Sequence, residues 1–258
     1  MNNNDNLTRP AVVEVRNLTK KFGTFTAVNG LSFEIRRGEV FGLLGANGAG
    51  KTTLIRMLCG LLKPTGGMAK VAGYDVVHDP ERIKKSIGYM SQKFSLYEDL
   101  TVMENIRFFG GIYGLKKKET EKAGKAMISR LGLEKISNRL IGTLPLGWKQ
   151  RIAFSVALLH HPGLVFLDEP TSGVDPVTRR QFWEMILETA REGYTIIVTT
   201  HYMDEAEYCD RLAVMTDGRI AGLDSPENLQ KQFGVTTMED LFWKITREEA
   251  LPENTEEV

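Results

Sequence analysis

The sequence predicts an α/β fold with a mainly parallel core sheet, an antiparallel β subdomain and an inserted helical subdomain. Short apolar runs such as LVFL and TIIV alternate with segments whose apolar residues recur at helical spacing, which is typical of buried parallel strands joined by helices. The early segments AVVEVRNL and LSFEIRRGE read as strands separated by turn formers, which predicts the antiparallel part. Residues 94–161 carry several helical patterns and few strand signals, so we expect the helical insertion there.

Composition limits the classes of protein that this chain can represent. Its 258 residues are 42% hydrophobic, enough for a sizeable core. Basic and acidic residues number 33 each, so the net charge is zero and we expect no nucleic-acid partner. Cys59 and Cys209 lack a CxxC spacing and are interpreted as reduced packing residues. No segment approaches the roughly 18–20 consecutive apolar residues that cross a bilayer.

The chain divides into three predicted regions. Residues 1–11 form a polar lead-in that we expect to be disordered and that lacks the pattern of a secretory signal. Residues 12–235 form the main domain, which contains the insertion at about residues 94–161. For residues 236–258 we expect a C-terminal amphipathic helix followed by an acidic tail. Asp217 and Gly218 are the predicted two-residue turn of a late hairpin.

A glycine-rich loop carries the strongest chemical signal. Residues 45–52, GANGAGKT, fit the pattern G-x-x-x-x-G-K-[ST] between an apolar strand and a helical pattern, which is the P-loop context. Backbone N–H groups of such a loop converge on a phosphate, Lys51 reaches the β- and γ-phosphates, and Thr52 binds Mg²⁺. The alternative, a tight glycine turn with a chance lysine, does not explain this context. The predicted ATP contacts are Gly45, Asn47, Gly48, Ala49, Gly50, Lys51, Thr52 and Thr53.

Two further strand ends carry candidate catalytic groups. Asp168 and Glu169 directly follow the apolar run LVFL. Asp168 is a candidate for binding Mg²⁺, and Glu169 is a candidate for orienting or deprotonating an attacking water. Alone, such a pair would more often be a helix cap or surface turn, but the P-loop favours the catalytic interpretation. His201 ends the run TIIVTT, where it is either a structural histidine or a partner of the γ-phosphate.

The ordered set of motifs resembles the ATP-binding cassette (ABC) ATPases of membrane transporters over roughly residues 12–235. The set comprises GANGAGKT, Gln92 in YMSQKF, LPLGWKQR, LVFLDEP, SGVD and TTH. The segments MSQKFSLYEDLTVMENI, FLDEPTSGVDP and HYMDEAEYCDR are similar to the multidrug-export (ABC-2 type) branch. The resemblance implies the P-loop NTPase fold of ABC ATPases, ATP and Mg²⁺ as cofactors, and ATP hydrolysis that powers export.

The resemblance also implies roles for individual residues. Phe22 would stack on adenine with Val28 nearby, and Gln92 would touch Mg²⁺ and the attacking water. The loop that ends at Asp175 would communicate across a dimer. The candidates for contact with a membrane partner are Phe94, Leu96 and Tyr97. Core packing is the alternative for each. The implied partners are transmembrane permease subunits and a second ATPase subunit, identical or different, at the cytoplasmic face of the inner (plasma) membrane.

One motif departs from the family pattern. Where the family has LSGGQ, residues 144–148 read LPLGW, so Pro145 replaces the serine, Leu146 a glycine and Trp148 the glutamine, while Gly147 matches. The lost hydroxyl contact to a charged oxygen is worth roughly 1.5–3 kcal/mol. Proline is well tolerated in a first helical turn, and the helix dipole remains. We therefore expect an active ATPase with an altered signature, paired with itself or with a partner whose signature is intact.

Three other interpretations remain open on sequence grounds. A nonhydrolysing or regulatory cassette is the most serious, because LPLGW departs. A soluble ABC protein acting on DNA or ribosomes is opposed by the neutral charge and by the absence of a long coiled-coil insertion or second cassette. An unrelated P-loop kinase or GTPase leaves QRIAF after a glycine and the spacing of Glu169 and His201 unexplained. The residues do not define the cargo.

Overall fold

The computed structural model describes residues 9–92 and 96–250; the predictions for Phe94, for most of the lead-in and for the last eight residues lie outside this part. The strands are β1 (Ala11–Phe22), β2 (Phe25–Arg36), β3 (Val40–Leu44), β4 (Gly66–Val71), β5 (Tyr74–Asp75), β6 (Ile87–Met90), β7 (Leu164–Asp168), β8 (Thr195–Thr200), β9 (Arg211–Thr216) and β10 (Arg219–Asp224). The helices are α1 (Lys51–Leu58), α2 (Pro80–Ser86), α3 (Val102–Ile112), α4 (Lys117–Leu131), α5 (Leu146–Ala157), α6 (Pro176–Arg191), α7 (Met203–Ala206), α8 (Pro226–Phe233) and α9 (Met238–Ala250).

The strands form two sheets. The antiparallel sheet has the order β2-β1-β4-β5 and the larger sheet the order β10-β9-β3-β8-β7-β6. In the larger sheet β3 pairs in parallel with β8 and β9, β7 pairs in parallel with β6 and β8, and only β10 is antiparallel. Every residue of β3, β7 and β8 is buried, as their continuous apolar character predicts. The predicted fold class is confirmed.

Strand register brings three chain segments to one edge of the core sheet. Leu44 pairs with Thr200, and Asp168 pairs with Thr199, so β3, β7 and β8 end side by side. The chain continues from these ends into the glycine loop, into Glu169 and into His201, respectively. Loops that leave the carboxyl ends of parallel strands form the usual ligand crevice of such sheets.

The helices α3, α4 and α5 are inserted between the adjacent strands β6 and β7. Their apolar residues pack against each other and against α6 in one buried cluster that includes Ile106, Met127 and Phe154. Helix α3 begins with a complete capping box: the Thr101 hydroxyl accepts from the backbone N–H of Glu104, whose carboxylate accepts from the Thr101 N–H. This reciprocal pair satisfies two donors at the helix start.

The last part of the described chain packs on the core sheet from the side of β9 and β10. Asp217 and Gly218 join these strands with φ of 43° and 74°, which confirms the predicted two-residue turn. One face of α9, with Met238, Leu241 and Ile245, is buried against neighbours that include α7 and α8. None of the described helices has the length and apolar character needed to cross a membrane.

Replacing Thr101 by alanine should lower the free energy of unfolding by about 1 kcal/mol, because the capping box loses its side-chain acceptor. Urea denaturation followed by circular dichroism measures this loss. Thr101→Ser is the matched control, since it keeps the hydroxyl and should retain most of the stability. Equal losses for both variants would show that packing of the threonine methyl group, not the cap, stabilises this helix start.

Candidate active site

The glycine loop closes tightly around the start of α1. Gly50 precedes the helix with φ of 100°, a conformation that L side chains rarely adopt, and a Cβ there would lie 2.4 Å from the carbonyl oxygen of Ala27. The buried Lys51 folds back into the loop, where Nζ donates to the carbonyl oxygens of Gly45 at 2.6 Å and Ala46 at 3.0 Å. Burial lowers the pKa of Lys51, opposed by the carboxylates of Glu169 and Asp168.

Asp168 lies at the end of β7 with almost no exposed surface. Its Oδ1 accepts hydrogen bonds from the hydroxyls of Thr52 at 3.1 Å and Thr199 at 2.8 Å. Burial raises the pKa of Asp168, and the two hydroxyl bonds oppose that rise. Hydroxyl and carboxylate oxygens are the hard ligands that Mg²⁺ prefers, so the adjacent Thr52 and Asp168 fit this ion. No group of three or more His, Cys, Asp or Glu residues forms a metal cage within residues 9–92 and 96–250.

Glu169 is the centre of a cluster of polar side chains at the sheet edge. Its Oε1 lies 3.7 Å from Nζ of Lys51, and its Oε2 accepts from Nε2 of Gln92 at 3.0 Å. Nδ1 of His201, which is buried and makes no hydrogen bond, lies 3.4 Å from the same Oε2. The structure thus brings together the predicted Lys51, Gln92, Glu169 and His201, which come from four separate segments of the chain.

Thr199 is a member of the site that the sequence analysis missed. Its hydroxyl donates to Asp168 and also accepts from the backbone N–H of Glu169 at 2.8 Å, so it holds both acidic residues at once. The available signal was a pair of polar threonines directly after the apolar residues IIV of a buried strand.

An open cleft of about 360 Å³ adjoins this cluster. Its lining consists of Phe25, Ala27, Asn47, Gly48, Gly50, Lys51, Thr52, Thr53, Gln92 and Glu169. Most of the predicted phosphate-loop residues therefore lie together. At the end predicted to receive the base, the exposed ring is that of Phe25, which is 62% exposed; Phe22 is its cross-strand partner, is 50% exposed and lies outside the lining.

The prediction that Val28 packs near the base needs correction. Its side chain has 0% exposure and belongs to the core beneath β2, together with Leu18 and Leu31. Ala27, the preceding residue of β2, borders the cleft instead. The burial preference of the larger apolar side chain explains this placement, because β2 buries both residues while only Ala27 reaches the cleft.

Gly147 and Asp175 line a second, separate cleft of about 330 Å³. Pro145 precedes α5 without any side-chain cap, and the Arg151 guanidinium lies over the Trp148 ring at 5.5 Å. The other lining residues are Leu146, Gly173, Val174, Thr178 and Gln181. The altered signature and the SGVD loop therefore form one face, apart from the first cleft.

Asp175 caps α6 and is held by three hydrogen bonds. Its Oδ1 accepts from the backbone N–H groups of Val177 and Thr178, both at 3.0 Å, and its Oδ2 accepts from the Thr178 hydroxyl at 2.6 Å. These bonds, the Thr178 hydroxyl first, lower the pKa of Asp175. The carboxylate is therefore ionised, and its hydrogen bonds go to the first turn of α6.

The residues offered for contact with a membrane partner differ in exposure. Leu96 is buried in the core of the helical insertion, so the core-packing alternative holds for it. Tyr97 is exposed and makes an edge contact with the exposed Phe108 on α3, with ring centroids 4.7 Å apart. Tyr97 and Phe108 thus form an exposed aromatic pair on this side of the insertion.

Comparison with known proteins agrees with the site. Residues 28–172 match the family model described as ABC transporter. The chain is 49% identical over 221 residues to the probable multidrug ABC transporter ATP-binding protein YbhF of Escherichia coli, covering 86% of this chain and 38% of that protein. It is 37% identical over 228 residues to the linearmycin resistance ATP-binding protein LnrL of Bacillus subtilis, covering 88% of this chain and 73% of the relative.

Solved structures give the same result. The ATP-binding subunit of an ABC transporter superposes with a TM-score of 0.82 at 29% identity, covering 91% of this chain and 99% of that one. An ATP-binding cassette in a dimeric post-hydrolysis state bound to ADP and phosphate superposes with a TM-score of 0.74 at 26% identity, covering 83% and 98%. The predicted family is confirmed: the chain belongs to the ABC transporter family, whose ATP-binding proteins hydrolyse ATP.

Proposed function

We propose that the chain binds ATP with Mg²⁺ in the first cleft, hydrolyses it, and powers export through separate transmembrane subunits. The observation that carries this proposal is the Glu169 carboxylate, held between Lys51, Gln92 and His201 beside the glycine loop. A carboxylate fixed next to a phosphate-binding loop is placed to accept a proton from an attacking water. Hydrolysis is also the activity of the family.

The remaining groups of the cleft take complementary roles. The loop N–H groups and Lys51 bind the β- and γ-phosphates once Nζ exchanges its bonds to Gly45 and Ala46 for phosphate oxygens. Thr52 and Asp168 would hold Mg²⁺, and Gln92, which donates to Glu169, lines the same cleft as Thr52. The ion would neutralise charge that develops on the phosphates. The exposed Phe25, with Phe22 beside it, offers a face for the base.

The second cleft is the surface that meets the ATP of another subunit. It joins the first turn of α5 to the SGVD loop, and the positive end of the α5 dipole points into it. Pro145 supplies neither a hydroxyl nor an N–H, so the contact rests on the helix start and on Gly147. The dimeric cassette among the solved structures shows that related chains pair.

Export and membrane attachment rest on the relatives. One is described as a probable multidrug transporter protein and the other as a linearmycin resistance protein. The proposed cargo class is therefore drugs or lipophilic compounds. The exposed pair Tyr97 and Phe108 is the proposed contact for a transmembrane subunit. The chain would then lie peripherally at the cytoplasmic face of the plasma membrane. Its zero net charge gives no support to a nucleic-acid partner.

The altered signature favours a second candidate, a cassette that binds ATP without hydrolysing it. The two candidates differ in one measurable property, which is turnover by the purified chain. The complete cluster around Glu169 favours hydrolysis, and the loss of a hydroxyl at Pro145 weakens the dimer without removing any group from the first cleft.

Glu169→Gln should reduce ATP turnover by at least about 100-fold, because the amide cannot accept the proton from water. Binding of Mg·ATP should remain, and light scattering should show an ATP-bound dimer that accumulates. Glu184→Gln, which changes an exposed carboxylate on α6, is the control and should behave as wild type. If wild type neither hydrolyses ATP nor dimerises, the self-paired motor is wrong and a different partner cassette, or the nonhydrolysing alternative, replaces it.

Pro145→Ser, made in the Glu169→Gln background, should tighten the ATP-bound dimer by about tenfold or more, because a restored hydroxyl can bond a charged phosphate oxygen. Sedimentation equilibrium with Mg·ATP measures the dissociation constant. Pro145→Ala removes the proline without adding a hydroxyl and should give little gain. Equal tightening by serine and alanine would mean that the gain comes from loss of the proline ring or from the restored backbone N–H and not from the hydroxyl, and no change with either would remove the signature from the dimer contact.

A further inference from the structure

A further buried carboxylate lies close to the edge of the core sheet where β7 and β8 end. Glu205, on the single turn α7, has 0% exposure. Burying a carboxylate is costly unless its oxygens are hydrogen-bonded and its charge is balanced.

Each oxygen of Glu205 receives a short hydrogen bond from a buried threonine. Oε1 accepts from the hydroxyl of Thr171 and Oε2 from that of Thr200, both at 2.6 Å. Thr171 follows Glu169 by two residues, and Thr200 immediately precedes His201. One carboxylate thus joins the two segments that carry the proposed base and its histidine neighbour.

The backbone around His201 is further restrained by the same threonine. The Thr200 hydroxyl oxygen accepts from the backbone N–H of Tyr202 at 3.0 Å while its hydrogen goes to Glu205. The chain on both sides of His201 is therefore tied to one side chain, which itself is tied to Glu205. A displacement of Glu205 would move Thr200 through their hydrogen bond, and Thr200 is covalently joined to His201.

A cation balances the buried charge and extends the contact to α6. Nε of Arg179 lies 3.5 Å from Oε1 of Glu205, and its guanidinium lies 3.7 Å above the Tyr202 ring. The Tyr202 ring in turn contacts the ring of His201, with centroids 4.2 Å apart. Because α6 starts directly after the SGVD loop, Glu205 connects the first cleft with the second.

We infer that Glu205 is a positioning residue, which fixes Glu169 and His201 relative to each other and couples their placement to α6. Glu205 lines neither of the two clefts, so we assign its effect to its threonine and arginine partners. The inference rests on the proposed hydrolysis for its kinetic consequence, while its structural consequence, the placement of the His201 ring, does not depend on turnover.

Glu205→Gln is the test, because it keeps the side-chain shape but replaces one acceptor oxygen by a donor and removes the buried one of the two carboxylates near Arg179, leaving the exposed Asp204. The ring of His201 is followed by its ¹H–¹³C NMR signal, which His201→Asn identifies among the four histidines. This signal should move by more than its linewidth. Glu207→Gln, an exposed carboxylate two residues further along, is the control and should leave the signal in place.

Kinetics supplies the second readout. Glu205→Gln should lower kcat about tenfold or more, the effect expected for a residue that supports a catalytic group, while KM for ATP stays close to that of wild type. In a His201→Asn background the same change should cost much less, because a shared path gives non-additive effects. Full additivity, or equal losses in kcat and in ATP affinity, would mean a general structural role and would overturn the inference.

A milder variant covers the possibility that Glu205→Gln fails to fold. Thr171→Val removes one buried hydroxyl partner, and Thr189→Val is its matched control because that buried hydroxyl bonds only within α6. The first should move the His201 signal and lower kcat, and the second should do neither. An unmoved His201 signal in Thr171→Val and Glu205→Gln overturns the inference. A moved signal in a chain whose wild type lacks turnover supports the inference and contradicts the proposed hydrolysis.

Discussion

The site depends on the burial of two adjacent carboxylates at the end of β7. Asp168 and Glu169 leave a fully buried strand next to each other, so each needs partners that remove the cost of its desolvation. The parallel register places Thr199 of β8 beside Asp168. Its hydroxyl donates to the Asp168 carboxylate and accepts from the backbone N–H of Glu169. The sheet order is therefore a requirement of the chemistry, since another neighbour at this position would leave the pair unsupported.

The strained backbone at Glu169 directs the side chains of Asp168 and Glu169 to different partners. Glu169 has φ of 48°, in the left-handed region that costs a non-glycine residue free energy and that is concentrated at functional sites. At this point the chain turns out of the strand, so Asp168 stays with Thr52 while Glu169 faces Lys51, Gln92 and His201. The surrounding hydrogen bonds hold the strained residue, and a preorganised carboxylate needs little rearrangement during reaction.

Sequence and structure agree where function depends on local pattern. The glycine loop, the strand-terminal acids and the Asp217 turn are each specified by a few consecutive residues, and all were predictable. Thr199 and Glu205 were not, because each depends on at least one partner 30 or more residues away in the chain. Val28 was misplaced for a related reason: alternation along a strand shows that a residue is buried but not whether its face meets the core or a cleft.

Gly147, the glycine of the altered signature that matches the family pattern, is explained by helix packing as well as by nucleotide binding. A Cβ on Gly147 would lie 2.5 Å from Cγ2 of Thr178, so close packing of α5 on α6 requires glycine there whether or not a nucleotide binds. Thr178 also bonds Asp175, which caps α6. Packing thus preserves this corner while Pro145 and Leu146 diverge. The fold thus keeps the shape of the second cleft, and the proposed contact with a phosphate of another subunit depends on Pro145 and Leu146.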